Sequence, residues 1–144
     1  MATDDPYELA RFVRAQDHND TIATALAEVR RGRKTSHWMW FVFPQLAGLG
    51  RSHTAQEYAI ASLEEARAYL AHPVLGARLR ECAGVVAAIS DRTAEDVFGG
   101  MDAMKLHSSM TLFALAAAPE DQVFADVLAR FFEARYDPNT ERLI

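Results

Sequence analysis

The chain has 144 residues, half of them hydrophobic, and its 15 Lys and Arg against 20 Asp and Glu give a formal net charge of −5. That length is one domain's worth, residues 1–144, and buries a full core without staples. The acidic balance argues against a general nucleic-acid binder, since such a domain is normally basic throughout. The single Cys82 excludes an internal disulfide and argues against a thiolate metal site. No stretch approaches the roughly 20 apolar residues of a membrane span, and the acidic N-terminus reads as no secretory signal. A soluble, cytoplasmic protein is expected.

In chain order, Asp4 or Asp5 before Pro6 offers a helix cap, and Leu9, Phe12 and Val13 follow at helical spacing. His18-Asn19-Asp20 breaks the pattern. Ile22, Leu26 and Val29 form the stripe of a second helix that ends in Arg30-Arg31-Gly32-Arg33-Lys34, with Gly32 as the left-handed terminator. Cations in a last turn complement the helix dipole. The sharper alternative is an anion clamp made by Arg33 and Lys34.

The next stretch, His37-Trp38-Met39-Trp40-Phe41-Val42-Phe43-Pro44-Gln45, holds both tryptophans, and no charged residue occurs from Trp38 to Gly50. A run this apolar is core or pocket wall. Thr35 or Ser36 can cap a short helix from His37 to Val42, which Pro44 must end. A strand is the competing reading, but no second strand-like run exists to satisfy its backbone. On a helix Trp38 and Trp40 diverge by about 200°, so one belongs to the core while the other walls a pocket, with Tyr58 beside it, or packs under the following loop.

Leu46 to His53 reads as a loop and Thr54 to Ile60 as a short helix. Ser62 and Glu65 form a capping box for a helix to about Ala71. After His72-Pro73, the stripe Leu75, Leu79, Cys82, Val86 and Ile89 carries a longer helix, and Thr93 starts a brief turn closed by Gly99-Gly100. Asp102 is expected to cap a helix to about Ala118 that is apolar nearly all round, the buried centre of the domain. Pro119 opens the last long helix, with Val123, Phe124, Val127, Leu128, Phe131 and Phe132 inward. The tail from Tyr136 reads as irregular, with Asp137-Pro138-Asn139 as a turn. The sum is an all-α, single compact globular domain of six to eight helices around the buried helix at about 102–118.

The start of that helix concentrates polar groups: Asp102, Lys105, Ser108, Ser109 and Thr111. Lys105 shares a face with Ser108 and Ser109 at i+3 and i+4. A dry lysine can activate a serine, but nothing in the sequence supplies an oxyanion hole, so presentation of donors to an anionic or carbonyl ligand is the preferred reading. The ordinary alternative pairs Asp102 with Lys105 and turns the hydroxyls back onto helix carbonyls. The five histidines lack the spacing of a helix-borne metal motif, so no metal and no cofactor is expected. His37 stands where the basic segment meets the aromatic block.

Three blocks together resemble the domain-of-unknown-function 1810 family: His37 to Leu46 with Gly48-Leu49-Gly50, Glu65 to Gly76, and Asp102-Ala103-Met104-Lys105-Leu106 running into Ser108 to Phe113, preceded by Val97-Phe98-Gly99. The resemblance spans nearly the whole chain. It implies an all-helical, single-domain, bacterial-type protein of about this length and no particular reaction. It also implies that His37, Gln45, Asp102, Lys105, Ser108, Ser109 and Thr111 are the marked positions. The functional expectation is a pocket for a small anionic or phosphate- or ribose-bearing ligand between residues 37–45 and the start of the 102–118 helix, lined by these residues with Trp38 and Trp40. A protein-interaction module and a small hydrolase or glycosidase are the alternatives. Whether the protein is an enzyme, and its oligomeric state, are left open.

Overall fold

The computed structural model describes residues 5–144. The helices are α1 (Ala10–Asp17), α2 (Thr21–Arg31), α3 (Met39–Val42), α4 (His53–Glu57), α5 (Leu63–Ala71), α6 (Leu75–Ala87), α7 (Ala94–Phe98), α8 (Gly100–Ala116), α9 (Val123–Phe131) and α10 (Pro138–Leu143), with a 3-10 turn over His18–Asp20. The protein is all-helical, and among the described residues its extended pairing is a single bridge between Leu46 and Ile60.

The long helices form where the apolar stripes predict them. α8 is the centre: it packs against α5, α7, α9 and α10, and α6 joins α2, α5 and α9 around it. Leu106, Met110, Leu112 and Phe113 of α8 meet Tyr69, Leu79, Phe124 and Val127 in one continuous core that also holds Cys82. Burial pushes the Cys82 thiol up to about 12, so it is a neutral core group at ordinary pH. Gly76 marks the tightest crossing, since a Cβ there would lie 2.1 Å from the Leu70 carbonyl oxygen.

Several boundaries differ from expectation, each for a local reason. Asp4 lies outside the described residues. Asp5 accepts from the N–H groups of Leu9 (2.7 Å) and Ala10 (2.9 Å), so α1 begins four residues later than the Asp-Pro pair suggests. Neither Thr35 nor Ser36 caps α3, because both backbone N–H groups turn back to Glu28. α8 starts at Gly100 with Gly99 as its cap residue at φ +80°, placing Asp102 in the first turn rather than at the cap. α4 stops at Glu57 because the Ile60 N–H goes to the Gln45 carbonyl (2.8 Å) and the Ile60 carbonyl accepts from Ala47 N–H (2.7 Å). Pro119 opens only a turn, and α9 begins at Val123.

The tail is helical, not irregular. Asp137 accepts from the Thr140 N–H (3.1 Å) and hydroxyl (2.6 Å), Pro138 occupies the first turn, and the Asp137 N–H donates to Thr111 Oγ1 (2.8 Å). Asp-Pro-Asn-Thr-Glu is thus a helix start of the kind the N-terminal Asp-Pro reading invoked. α10 is thereby fixed to the side of α8.

Candidate functional site

The site is built on a carboxylate. Glu28, in the last two turns of α2, is 3 % exposed, and its Oε1 accepts from the N–H groups of Thr35 (2.8 Å) and Ser36 (3.0 Å) and from Trp38 Nε1 (2.9 Å). Its Oε2 accepts from the Ser36 hydroxyl (2.5 Å). Burial alone would raise its pKa; the bonds from Ser36, Thr35 and Trp38 outweigh this and hold it at about 2, so it stays ionised. These bonds, together with one from Lys34 N–H to the Val97 carbonyl (2.7 Å), set the path of residues 33–38 from α2 to the aromatic block.

That path delivers the Lys34 ammonium to α8. Its Nζ lies 2.8 Å from Asp102 Oδ2, bonds the Ser36 carbonyl, and sits 4.9 Å from the Trp38 ring centroid. Lys105 Nζ approaches the same carboxylate at 3.5 Å and lies 5.1 Å from the Trp40 ring centroid. Two ammonium groups therefore share one carboxylate, and the closer one, Lys34, has a side chain only 6 % exposed. The cluster keeps one net positive charge, and Lys105 carries it toward solvent over the face of Trp40.

Trp40 and Lys105 stand between two open clefts. The larger, about 680 Å³, is walled by Trp40, Gln45, the loop Leu49 to Ser52 with Ala55, the α8 residues Met101, Met104, Lys105, His107 and Ser108, and Asp137 with Asn139 of the C-terminal turn. The smaller, about 370 Å³, lies toward Lys34, His37, Gly99, Gly100 and Asp102. Gly50 is required in the wall of the first, since a Cβ would fall 2.5 Å from that of Ala55. At its mouth Met101 and Met104 are 76 % and 70 % exposed, so the first turn of α8, unlike the rest of that helix, faces water.

The residues singled out from the sequence divide into two groups. Trp40, Gln45, Lys105 and Ser108 meet in the larger cleft, and His37, Lys34 and Asp102 line the smaller, with Trp40 and Lys105 common to both. Trp38, Ser109 and Thr111 line neither. Trp38 is core, 1 % exposed, against Phe43 and Phe98. The Ser109 hydroxyl is buried without a hydrogen-bond partner among the described residues. Thr111 donates to the His107 carbonyl (2.8 Å) and holds Asp137. Arg33 is exposed and lines neither cleft, so it forms no clamp with Lys34. Tyr58 packs edge-on against Phe41 (4.8 Å) and Phe12 (5.7 Å) and reaches only a pit of about 10 Å³ behind Trp40. Lys105 makes no hydrogen bond to Ser108 or Ser109; Ser108 Oγ lies instead 3.2 Å from the Met104 carbonyl and 3.1 Å from Asp137 Oδ2.

Glu28, Arg51, His107 and Asp137 were not foreseen. Glu28 had one signal: it sits between Ala25 and Val29 on the inner face of α2, where an unpaired carboxylate is not tolerated. Arg51 and Asp137 come to the cleft from loops whose course no periodicity encodes. The His107 ring stacks on Phe132 (4.2 Å, 2° between planes), with Nε2 2.8 Å from the Arg135 carbonyl.

Fold and site together define an all-helical protein with open clefts at the exposed end of a buried central helix. The chain belongs to the protein family of unknown function DUF1810, whose family model matches residues 6–144. It is similar to the conserved hypothetical protein Rv1873 from Mycobacterium tuberculosis, known from a crystal structure, at 49 % identity and a TM-score of 0.92 over 97 % of this chain and 98 % of that one. No curated protein matches the chain. No helix among the described residues is long and apolar enough to cross a membrane.

Proposed function

We propose that the protein binds a small anionic ligand in the larger cleft, with its negative group at Lys105 and Arg51 and a flat or apolar portion against Trp40. The observation that carries this reading is the unequal charge of the Lys34–Asp102–Lys105 cluster, which leaves Lys105 under-compensated beside an aromatic face. An ammonium already held in place loses little freedom on meeting a phosphate or carboxylate. The cleft volume of about 680 Å³ is that of an ordinary small-molecule site. Thermal unfolding with inorganic phosphate, sugar phosphates and nucleotides tests it. A ligand at a hundred times its dissociation constant adds nearly 3 kcal/mol of stability, and Lys105→Ala abolishes the shift. Absence of a shift with every anion overturns the proposal.

A second reading has its own observation, the two exposed methionines at i and i+3 on the first turns of α8. Adaptable thioethers on a surface suit a protein partner. That interaction module is the reading favoured if no anion binds. A serine–lysine hydrolase finds no support, because Ser108 is bonded away from Lys105.

A further inference from the structure

The larger cleft holds acceptors as well as cations, and the acceptors have no place in the reading above. Its cations are Lys105 and Arg51. His107, Ser108 and Asp137 also line the wall, and their bonds leave acceptors unused. Asp137 receives the Thr140 N–H, the Thr140 hydroxyl and the Ser108 hydroxyl all on Oδ2. No donor among the described residues reaches its Oδ1. His107 Nε2 faces the Arg135 carbonyl at 2.8 Å, a geometry that requires the proton on Nε2 and leaves Nδ1 an acceptor in the neutral ring. Ser108 has one proton for the two acceptors within its reach, so its oxygen also keeps lone-pair capacity.

A cleft wall that carries both cations and open acceptors selects a ligand with an anionic group and donors of its own. The donors it requires are hydroxyls rather than an ammonium. The Asp137 carboxylate already faces the donors of Thr140 and Ser108 on Oδ2, and the open acceptor beside it, the Ser108 oxygen, carries no charge. Neighbouring hydroxyls on adjacent carbons present two donors close together, which a carboxylate oxygen and a nearby neutral acceptor receive, as carboxylates do for ribose hydroxyls in nucleotide sites.

We infer that the cleft takes a phosphorylated sugar or polyol, its phosphate at Lys105 and Arg51 and its hydroxyls read by Asp137 Oδ1 with His107 and Ser108. The inference rests on the anion-binding reading of the same cleft and adds the class of ligand.

The test is calorimetric titration of the full chain with ribose 5-phosphate, 2-deoxyribose 5-phosphate, inorganic phosphate and phosphoethanolamine. Ribose 5-phosphate is expected to bind at least about tenfold tighter than inorganic phosphate, the worth of one or two hydrogen bonds to a charged acceptor. The deoxy sugar falls between them. Asp137→Asn keeps an oxygen for the Thr140 cap but removes the carboxylate, and it is expected to erase the sugar advantage while leaving phosphate affinity within about threefold. Asp137→Ser, also a good cap residue, gives the same result without an amide in the cleft and serves if the asparagine variant does not fold. Equal affinity for phosphate and ribose 5-phosphate, or equal loss for every probe in both Asp137 variants, overturns the inference and leaves the anion site standing. Tighter binding of phosphoethanolamine than of ribose 5-phosphate also overturns it, since the acceptors would then be reading a cation. No binding by any of the four removes the anion site itself.

Discussion

Trp38 Nε1 donates to Glu28 Oε1 at 2.9 Å inside the protein, and that bond settles which of the two neighbouring tryptophans belongs to the core. With its indole N–H satisfied, Trp38 can be enclosed by Phe43 and Phe98, and Trp40 is left to face the clefts. The same carboxylate fixes the turn that carries Lys34, so the electrostatics of the site begin on α2, at a residue that lines neither cleft.

Glu28 gives the fold an acid-sensitive joint. Its folded pKa of about 2 lies below the ordinary 4.5, so its stabilisation is complete above about pH 4.5 and is lost as pH falls through the folded value. The difference is worth about 3 kcal/mol. Glu28→Gln should lower stability at neutral pH by about that amount and flatten the fall between pH 5 and 2, as read by urea unfolding at several pH values. A variant with the wild-type pH profile would contradict the role given to this carboxylate.

The tryptophans should separate in fluorescence. Trp38 is enclosed and Trp40 half-buried at the cleft. Acrylamide should quench the wild type strongly and Trp40→Phe weakly. Trp38→Phe, which removes a buried ring and strands part of Glu28, should cost about 3 kcal/mol.

Two glycines of α6 should respond with opposite signs to alanine. At Gly76 the added Cβ meets the Leu70 carbonyl oxygen at 2.1 Å, a backbone atom that cannot step aside cheaply. Gly76→Ala should therefore destabilise by about 1–3 kcal/mol. At Gly84, inside the same helix, the nearest atom is Val123 Cγ2 at 3.9 Å. Gly84→Ala should stabilise by about 0.5–1 kcal/mol through helix propensity. Chemical denaturation of the two variants side by side decides it.

The hydroxyls of α8 should prove unequal. Ser109 Oγ is buried and has no hydrogen-bond partner among the described residues, so Ser109→Ala should be neutral or stabilising by about 1 kcal/mol. Thr111→Val removes both the bond to the His107 carbonyl and the acceptor for Asp137 N–H. It should cost about 1–2 kcal/mol and loosen α10, seen as faster amide exchange at Asp137.

What the sequence makes legible is what periodicity and capping encode. The stripes of α6, α8 and α9, the terminator Gly32, and the caps at Ser62 and Thr93 are local features, and each stands where its residues indicate. The position of Trp40 and Lys105 beside one cleft was also within reach, because the aromatic run and the polar start of α8 are both unusual. The partners of Glu28 and Asp137 were not. Glu28 finds its donors seven to ten residues onward in a segment without periodicity, and Asp137 meets Ser108 across 29 positions. Such bonds follow from the path of a loop in space, which composition and spacing do not carry.

The bridge between Leu46 and Ile60 has a consequence for recognition. Its two hydrogen bonds, Ala47 N–H to the Ile60 carbonyl and Ile60 N–H to the Gln45 carbonyl, close the segment that bears Leu49 to Ala55 into a ring. The conformational entropy of that cleft wall is surrendered when the chain folds, so a ligand arriving later finds it already preorganised. Association should accordingly be fast and limited by encounter, with little refolding of the wall on the way in.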